Sequence, residues 1–103
     1  TFPRPKQALL CGDLNFPAAA PERMQMLAPF PAGVPNFNDA WSVLHPEQAH
    51  APTVGIHPVD FVDRPECFDY VFITDGLVSH LKVHGIDATT EASDHQPIWV
   101  ELA

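Results

Sequence analysis

Five polar residues of this chain fall in three short motifs, each at one end of an apolar run. Asp13 and Asn15 follow the run LLCG, Asp69 begins the run DYVFIT, and Asp94 and His95 begin the run DHQPI. Residues i and i+2 of an extended segment point to the same side, so Asp13 and Asn15 would face one target together. Asp and Asn also begin many turns, and a simple turn at the strand end is the alternative.

These residue types suit a metal-assisted attack of water on a phosphate ester. A hard cation such as Mg²⁺, or Mn²⁺ in its place, is held by carboxylate oxygens and keeps several waters. Asp13 would accept the proton of the attacking water, and Asn15 would donate a hydrogen bond to a phosphate oxygen or hold that water. Asp69 would orient and charge His95, which would stabilise the developing negative charge. Asp94 would bind the metal directly or through water.

Short helices and strands must position these side chains. Buried strands are predicted over Gln7–Cys11 and over Asp69–Thr74, the second because it is rich in aromatic and β-branched residues. Proline at the first position and glutamate in the first turn predict a helix over Pro21–Leu27. A second helix is predicted over Asp39–Leu44, and the pair Asp75–Gly76 is typical of a hairpin turn. Short helices with mainly antiparallel strands make an α+β fold.

The order of these elements predicts that the polar motifs meet. A hairpin after Asp69–Thr74 would return the chain along LVSHLKVH, so that the following loop lies on the side where Asp69 begins. A final strand, with Ile98, Val100 and Leu102 on one face, would start there. If the first strand runs antiparallel to that of Asp69, all the polar motifs share one rim of the sheet. We therefore expect Asp69 and His95 to be hydrogen-bonded neighbours.

The amino-acid composition limits the classes of protein to which this chain can belong. The chain has 103 residues, 46% of them hydrophobic, which suits one small globular domain. No run approaches the roughly 20 apolar residues of a membrane span, so no transmembrane segment is expected. Thirteen acidic residues stand against five scattered Lys and Arg residues, so strong binding of nucleic acid by this chain is not expected. An acidic protein can still act on phosphates when a divalent cation bridges the two.

Other residues of reactive types have structural explanations. Cys11 and Cys67 are too few for a disulfide framework, and both are predicted to be small buried core residues. Asp39 is predicted to cap a helix rather than bind a metal. The remaining histidines match no motif and are expected on the surface or in loops: His45, His50, His57, His80 and His84.

The motifs GDLN, FDYVFI and SDHQPI, in this order and at about these separations, resemble those of the endonuclease/exonuclease/phosphatase superfamily. That family includes pancreatic deoxyribonuclease, abasic-site endonucleases and inositol polyphosphate 5-phosphatases. Its fold is a two-sheet β-sandwich flanked by helices, and its members hydrolyse phosphoester bonds with Mg²⁺ or a similar ion. The resemblance assigns Asp13 and Asn15 to the nucleophile and phosphate side, Asp69 and His95 to the catalytic pair, and Asp94 to the metal.

The resemblance covers residues 1–103 as the C-terminal half of the family domain, which is half of the two-sheet sandwich. The N-terminal half, which in the family supplies a metal-holding Asn and Glu, has no counterpart in this sequence. Cys67 also stands two residues before Asp69, where family members often carry Arg. The expected partners are a phosphate-ester substrate and either the missing half or a second copy of the chain. By itself the chain would be inactive.

Two other interpretations remain at this stage. The chain could be a non-catalytic fragment or interaction module that keeps the family sheet, or its polar rim could hold a metal ion for structural reasons. The set of five polar residues favours descent from a catalyst, because a purely structural module has no use for all of them on one rim.

Overall fold

The computed structural model describes residues 5–58 and 60–103. Within these residues it contains five strands and three short helices. In chain order they are β1 (Leu9–Asp13), α1 (Pro21–Leu27), β2 (Phe37–Asp39), α2 (Ala40–Leu44), β3 (Asp69–Thr74), α3 (Asp75–Val78), β4 (Leu81–Ile86) and β5 (Ile98–Leu102). The strands form two antiparallel sheets, with the orders β1-β3-β2 and β4-β5. The predicted α+β class and antiparallel pairing are confirmed, whereas the two-sheet sandwich is not.

Strand β3 is the centre of the molecule. Its aromatic and β-branched residues are the types that favour extended structure, and from Tyr70 onwards they are all buried. Alternate residues serve two clusters, as the two-residue period of a strand requires. Tyr70 and Phe72 pack with α1 and the segment after β1, while Val71 and Ile73 pack with α2, β4 and β5. The sheet is thus covered on both faces of β3.

The hairpin predicted at Asp75–Gly76 is wrong, and sheet topology gives the reason. Strand β3 pairs with β1 along one edge and with β2 along the other, so no edge remains for β4. Asp75 instead begins the short helix α3, and its carboxylate accepts bonds from the backbone of Asn36 and the side chain of Asn38. Helix α3 connects β3 to β4 in the second sheet. The chain still reverses its direction there, so the loop after β4 returns to the rim where β3 begins.

The first strand lies two residues later than predicted, at Leu9–Asp13 instead of Gln7–Cys11. Pairing with β3 determines this shift, because the register aligns Leu9 with Ile73 and Asp13 with Asp69. Asp13 is therefore the last residue of β1, whereas the predicted bounds placed it two residues beyond the strand.

The second sheet covers the core and also exposes apolar side chains. Ile98 and Val100 of β5 pack on the cluster that contains Val71 and Ile73, so this apolar face is largely covered by the chain itself. Leu102 is 43% exposed. A bulge between Leu81 and Val83 interrupts the pairing of β4 with β5, and Leu81 is buried whereas Val83 is exposed. None of the helices among the described residues is long and apolar enough to span a membrane.

Candidate active site

Two carboxylates face each other where β1 ends and β3 begins. The antiparallel register sets Asp13 directly opposite Asp69. Like charges in opposed positions destabilise a sheet unless something offsets them. Asp13 is about half-exposed and Asp69 is nearly buried, with exposed side-chain fractions of 47% and 13%. The rim thus holds one carboxylate open to solvent and one enclosed.

The imidazole of His95 lies between these carboxylates. Its Nδ1 is 2.8 Å from Oδ2 of Asp69, which confirms the predicted hydrogen bond. A carboxylate accepts hydrogen bonds, so Nδ1–H is the donor. Nε2 faces Oδ2 of Asp13 at 3.7 Å, which is ion-pair range but longer than a hydrogen bond. His95 therefore has one nitrogen committed to Asp69 and one available to a bound group.

The surroundings of His95 favour its charged form. The hydrogen bond from Nδ1 to Asp69 is the largest influence and raises the pKa of His95 above its ordinary value of 6.5. Partial burial acts in the opposite direction, while the negative charges of Asp69, Asp13 and Asp94 raise the pKa further. The site is thus able to present an imidazolium to a negatively charged ligand.

Thr53 is a site residue for which sequence reasoning gave no role. It is fully buried, and its hydroxyl lies 2.6 Å from Oδ2 of Asp69, the same oxygen that receives the bond from His95. It lies in a proline-rich loop, where no motif distinguishes it. Its position is determined by pairing with distant segments, which no local sequence signal reports.

Asn15 and Asp94 lie beside the cluster rather than in it. Asn15 is exposed, has a φ of 58°, and donates its backbone N–H to Oδ1 of Asp13 at 2.8 Å. The Asx turn weighed as an alternative is therefore present, and it orients Asp13. Asp94 is exposed, and its negative charge helps to raise the pKa of His95. The roles assigned to Asn15 and Asp94 stay predictions.

The rim carries donor atoms of the kinds that bind divalent cations. One ligand atom each from Asp13, Asp69 and His95 lies within 4.8 Å of the others. Carboxylates suit Mg²⁺ and Mn²⁺, and an added imidazole suits Mn²⁺ better than Mg²⁺. Because Asp69 and His95 are bonded to each other, Asp13 has the carboxylate most available to an ion.

A second buried carboxylate, that of Asp39, lines the same small cavity as Asp69 but is enclosed by its own partners. Asp39 caps α2 through Trp41 N, as predicted, and it also binds Arg23 at 3.0 Å and His50 at 2.6 Å. His50 lies in a loop as expected, yet its side chain is only 10% exposed, so it is not a surface group. Sequence reasoning missed this contact, because Arg23 and His50 come from separate segments.

The two cysteines have different environments. Cys67 is buried as predicted, and burial raises the pKa of its thiol to about 11. Cys11 is exposed on β1, so its predicted burial is wrong.

Comparison with protein-family models, curated proteins and solved structures finds no match to this chain. Its function must therefore be argued from its own residues and their geometry.

Proposed function

We propose that this chain contributes the His95 half of the active site of a metal-dependent phosphoester hydrolase. The observation that carries the proposal is the imidazole of His95 between Asp69 and Asp13, with contacts of 2.8 and 3.7 Å. The same three residues are among those that the resemblance to the endonuclease/exonuclease/phosphatase superfamily assigns to catalysis, together with Asn15. Geometry and motif thus favour the same interpretation.

The residues divide the chemistry between them. Asp69 holds the imidazole by Nδ1 and favours its charged form, so that Nε2–H can donate to a phosphate oxygen as negative charge develops. Asp13, open to solvent, accepts the proton of the attacking water. Asn15 would hold that water or donate to the phosphate from the turn that follows Asp13.

Mg²⁺ or Mn²⁺ is the proposed cofactor. Asp94 would hold it directly or through water, and the negative charges around His95 support cation binding. When bound, such an ion would neutralise phosphate charge and favour ionisation of water. This contribution matters because the chain has few basic side chains to offer a phosphate. Arg23 is committed to Asp39, and Arg64 pairs with Glu66.

The partner proposed for this chain is another polypeptide surface, either the N-terminal half of the family fold or a second copy. Among the described residues, strand β1 has one neighbour strand, β3, and all five residues of β1 are exposed. Leu9, Leu10 and Trp99 are exposed by 43%, 37% and 46%. Open strand edges with apolar side chains are sites of further pairing. This observation also favours the second candidate function, a non-catalytic interaction module.

A hydrolysis assay separates the two functions. The complete polypeptide that carries this sequence is assayed with Mn²⁺ or Mg²⁺ on a phosphate monoester and a phosphate diester of p-nitrophenol. Hydrolysis that requires the metal and is lost in Asp13→Asn supports the hydrolase. The control is Asp87→Asn, an exposed carboxylate bonded within its own turn, which should retain activity. Absence of hydrolysis with a stable complex of two polypeptides would support the interaction module instead.

A further inference from the structure

We infer that Thr53 is a positioning residue, which fixes the Asp69 carboxylate so that Asp69 in turn fixes the tautomer and orientation of His95. This inference rests on the proposed function for its catalytic meaning. Its geometric basis is independent of that function, because it concerns contacts among Thr53, Asp69 and His95 alone.

The hydroxyl of Thr53 has a defined direction. Its Oγ1 accepts the backbone N–H of Phe68 at 3.0 Å and lies 2.6 Å from Oδ2 of Asp69. Because a carboxylate oxygen accepts hydrogen bonds, the hydroxyl proton must point to Asp69. The result is a continuous series from Phe68 N–H through Thr53 to Asp69, where Nδ1–H of His95 donates to the same oxygen.

The backbone of Thr53 joins the two segments that carry the catalytic pair. Its N–H donates to the carbonyl of Glu66 at 2.8 Å, three residues before Asp69. Its carbonyl accepts the N–H of Gln96 at 2.7 Å, one residue after His95. Thr53 is fully buried, so these bonds have little competition from water. One residue thus sets both the distance between the segments and the direction of the carboxylate.

An unsupported carboxylate would be free to rotate about its χ2 torsion, which is a broad rotation in Asp. Partial rotation would move Oδ2 out of line with Nδ1–H of His95 and weaken that hydrogen bond. In neutral His95 the proton could then reside on either ring nitrogen, and in the charged form, which donates from Nε2–H, the ring would no longer be held in one orientation toward the ligand. When a group that orients a functional histidine through its other ring nitrogen is removed, activity or metal affinity typically falls by about 10- to 100-fold.

The test uses Thr53→Val, which keeps the shape and the backbone bonds but removes the hydroxyl. The measurement is ¹⁵N NMR of His95 in the 103-residue chain at a pH where the imidazole is neutral, without added metal. In the unmodified chain we expect the proton mainly on Nδ1. In Thr53→Val we expect a mixture of tautomers, and in Thr53→Ser, which keeps the hydroxyl, the original spectrum.

The matched control is Thr74→Val. Thr74 is equally buried, and its hydroxyl is bonded to Lys6 O and Ala8 N at the opposite end of β3 from Asp69. Its loss should lower stability without changing the His95 spectrum. The inference is overturned if folded Thr53→Val keeps the Nδ1–H tautomer, or if Thr74→Val loses it as well. Should Thr53→Val not fold, an altered spectrum in folded Thr53→Ser would overturn it.

Activity separates this inference from the proposed function. If the complete polypeptide hydrolyses phosphate esters, Thr53→Val should lower kcat by about 10- to 100-fold with little change in KM, and Thr53→Ser should recover most of the loss. If no polypeptide hydrolyses them, the proposed function fails, while the NMR result still decides the role of Thr53.

Discussion

Two clusters in this small protein, one around His95 and one around Asp39, both pair histidine with aspartate but differ in how far their polar groups are already bonded. At the rim, His95 lies between Asp69 and Asp13, and its Nε2 makes no hydrogen bond within the described part of the chain but faces Asp13 at 3.7 Å. Around Asp39, by contrast, the carboxylate is satisfied by Arg23, His50 and the backbone of Trp41. Asp39 is 2% exposed and Asp13 is 47% exposed at the side chain.

The difference separates a structural role from a functional one. A buried carboxylate with all of its bonding capacity filled can bind nothing further, and removing it leaves its partners unpaired. A half-exposed carboxylate opposite another carboxylate stabilises the fold little, yet it can bind a cation or a proton. The availability of a group, more than its chemical type, therefore identifies the candidate site.

The largest expected effect is on stability in Asp39→Ala. Breaking a buried ion pair by removing one partner typically costs about 3–5 kcal/mol, since a charge remains buried and unpaired. Denaturant unfolding of Asp39→Ala and Asp13→Ala measures the contrast. For the exposed Asp13 the change should be about 0–1 kcal/mol. Equal losses in the two variants would show that the clusters do not differ in the way described.

The next largest expected effect is on turnover, and it is tested by comparing two histidine variants. In an active preparation of the complete polypeptide, His95→Gln should lower turnover by at least about 100-fold, since it removes a group that stabilises transition-state charge. His50→Gln removes a histidine that also binds a carboxylate, but that carboxylate is Asp39 and not Asp69 or Asp13, so the variant should mainly lower stability. Initial rates, corrected for the folded fraction, compare the two. Near-normal rates in His95→Gln would reject its catalytic role.

The smallest effect is the acid dependence of stability. Burial alone would raise the pKa of Asp39, but hydrogen bonds and charges from His50 and Arg23 outweigh it and hold the pKa below 3.8. As the pH falls, the unfolded chain therefore binds this proton first. The stabilisation by Asp39 is present above its unfolded pKa of 3.8 and is lost as the pH falls through its lower folded pKa. Unfolding at a series of pH values should show a shallower acid decline in Asp39→Ala than in the unmodified chain, and identical declines would contradict this.

Local sequence was sufficient for several features of the fold. The helix Pro21–Leu27 and the strand Asp69–Thr74 have the predicted bounds, because their residues have strong local preferences. Asp39 caps α2 for the same reason. The pairing of Asp69 with His95 was also predicted, although the hairpin used to argue it is a short helix. The prediction still held because it required only that the chain reverse its direction after β3, which the short helix also achieves.

The sequence by itself indicated five candidate side chains and predicted that they would share one rim, where Asp13, Asp69 and His95 do come together. Tertiary structure decided what surrounds them. It placed two loop residues, Thr53 and His50, against the strand residues Asp69 and Asp39, which lie 16 and 11 positions away in the sequence. It also gave β3 two neighbours, which excluded the hairpin. Such contacts depend on the packing of the whole chain, because loop residues have weak local preferences and adopt the conformation that the surrounding elements allow.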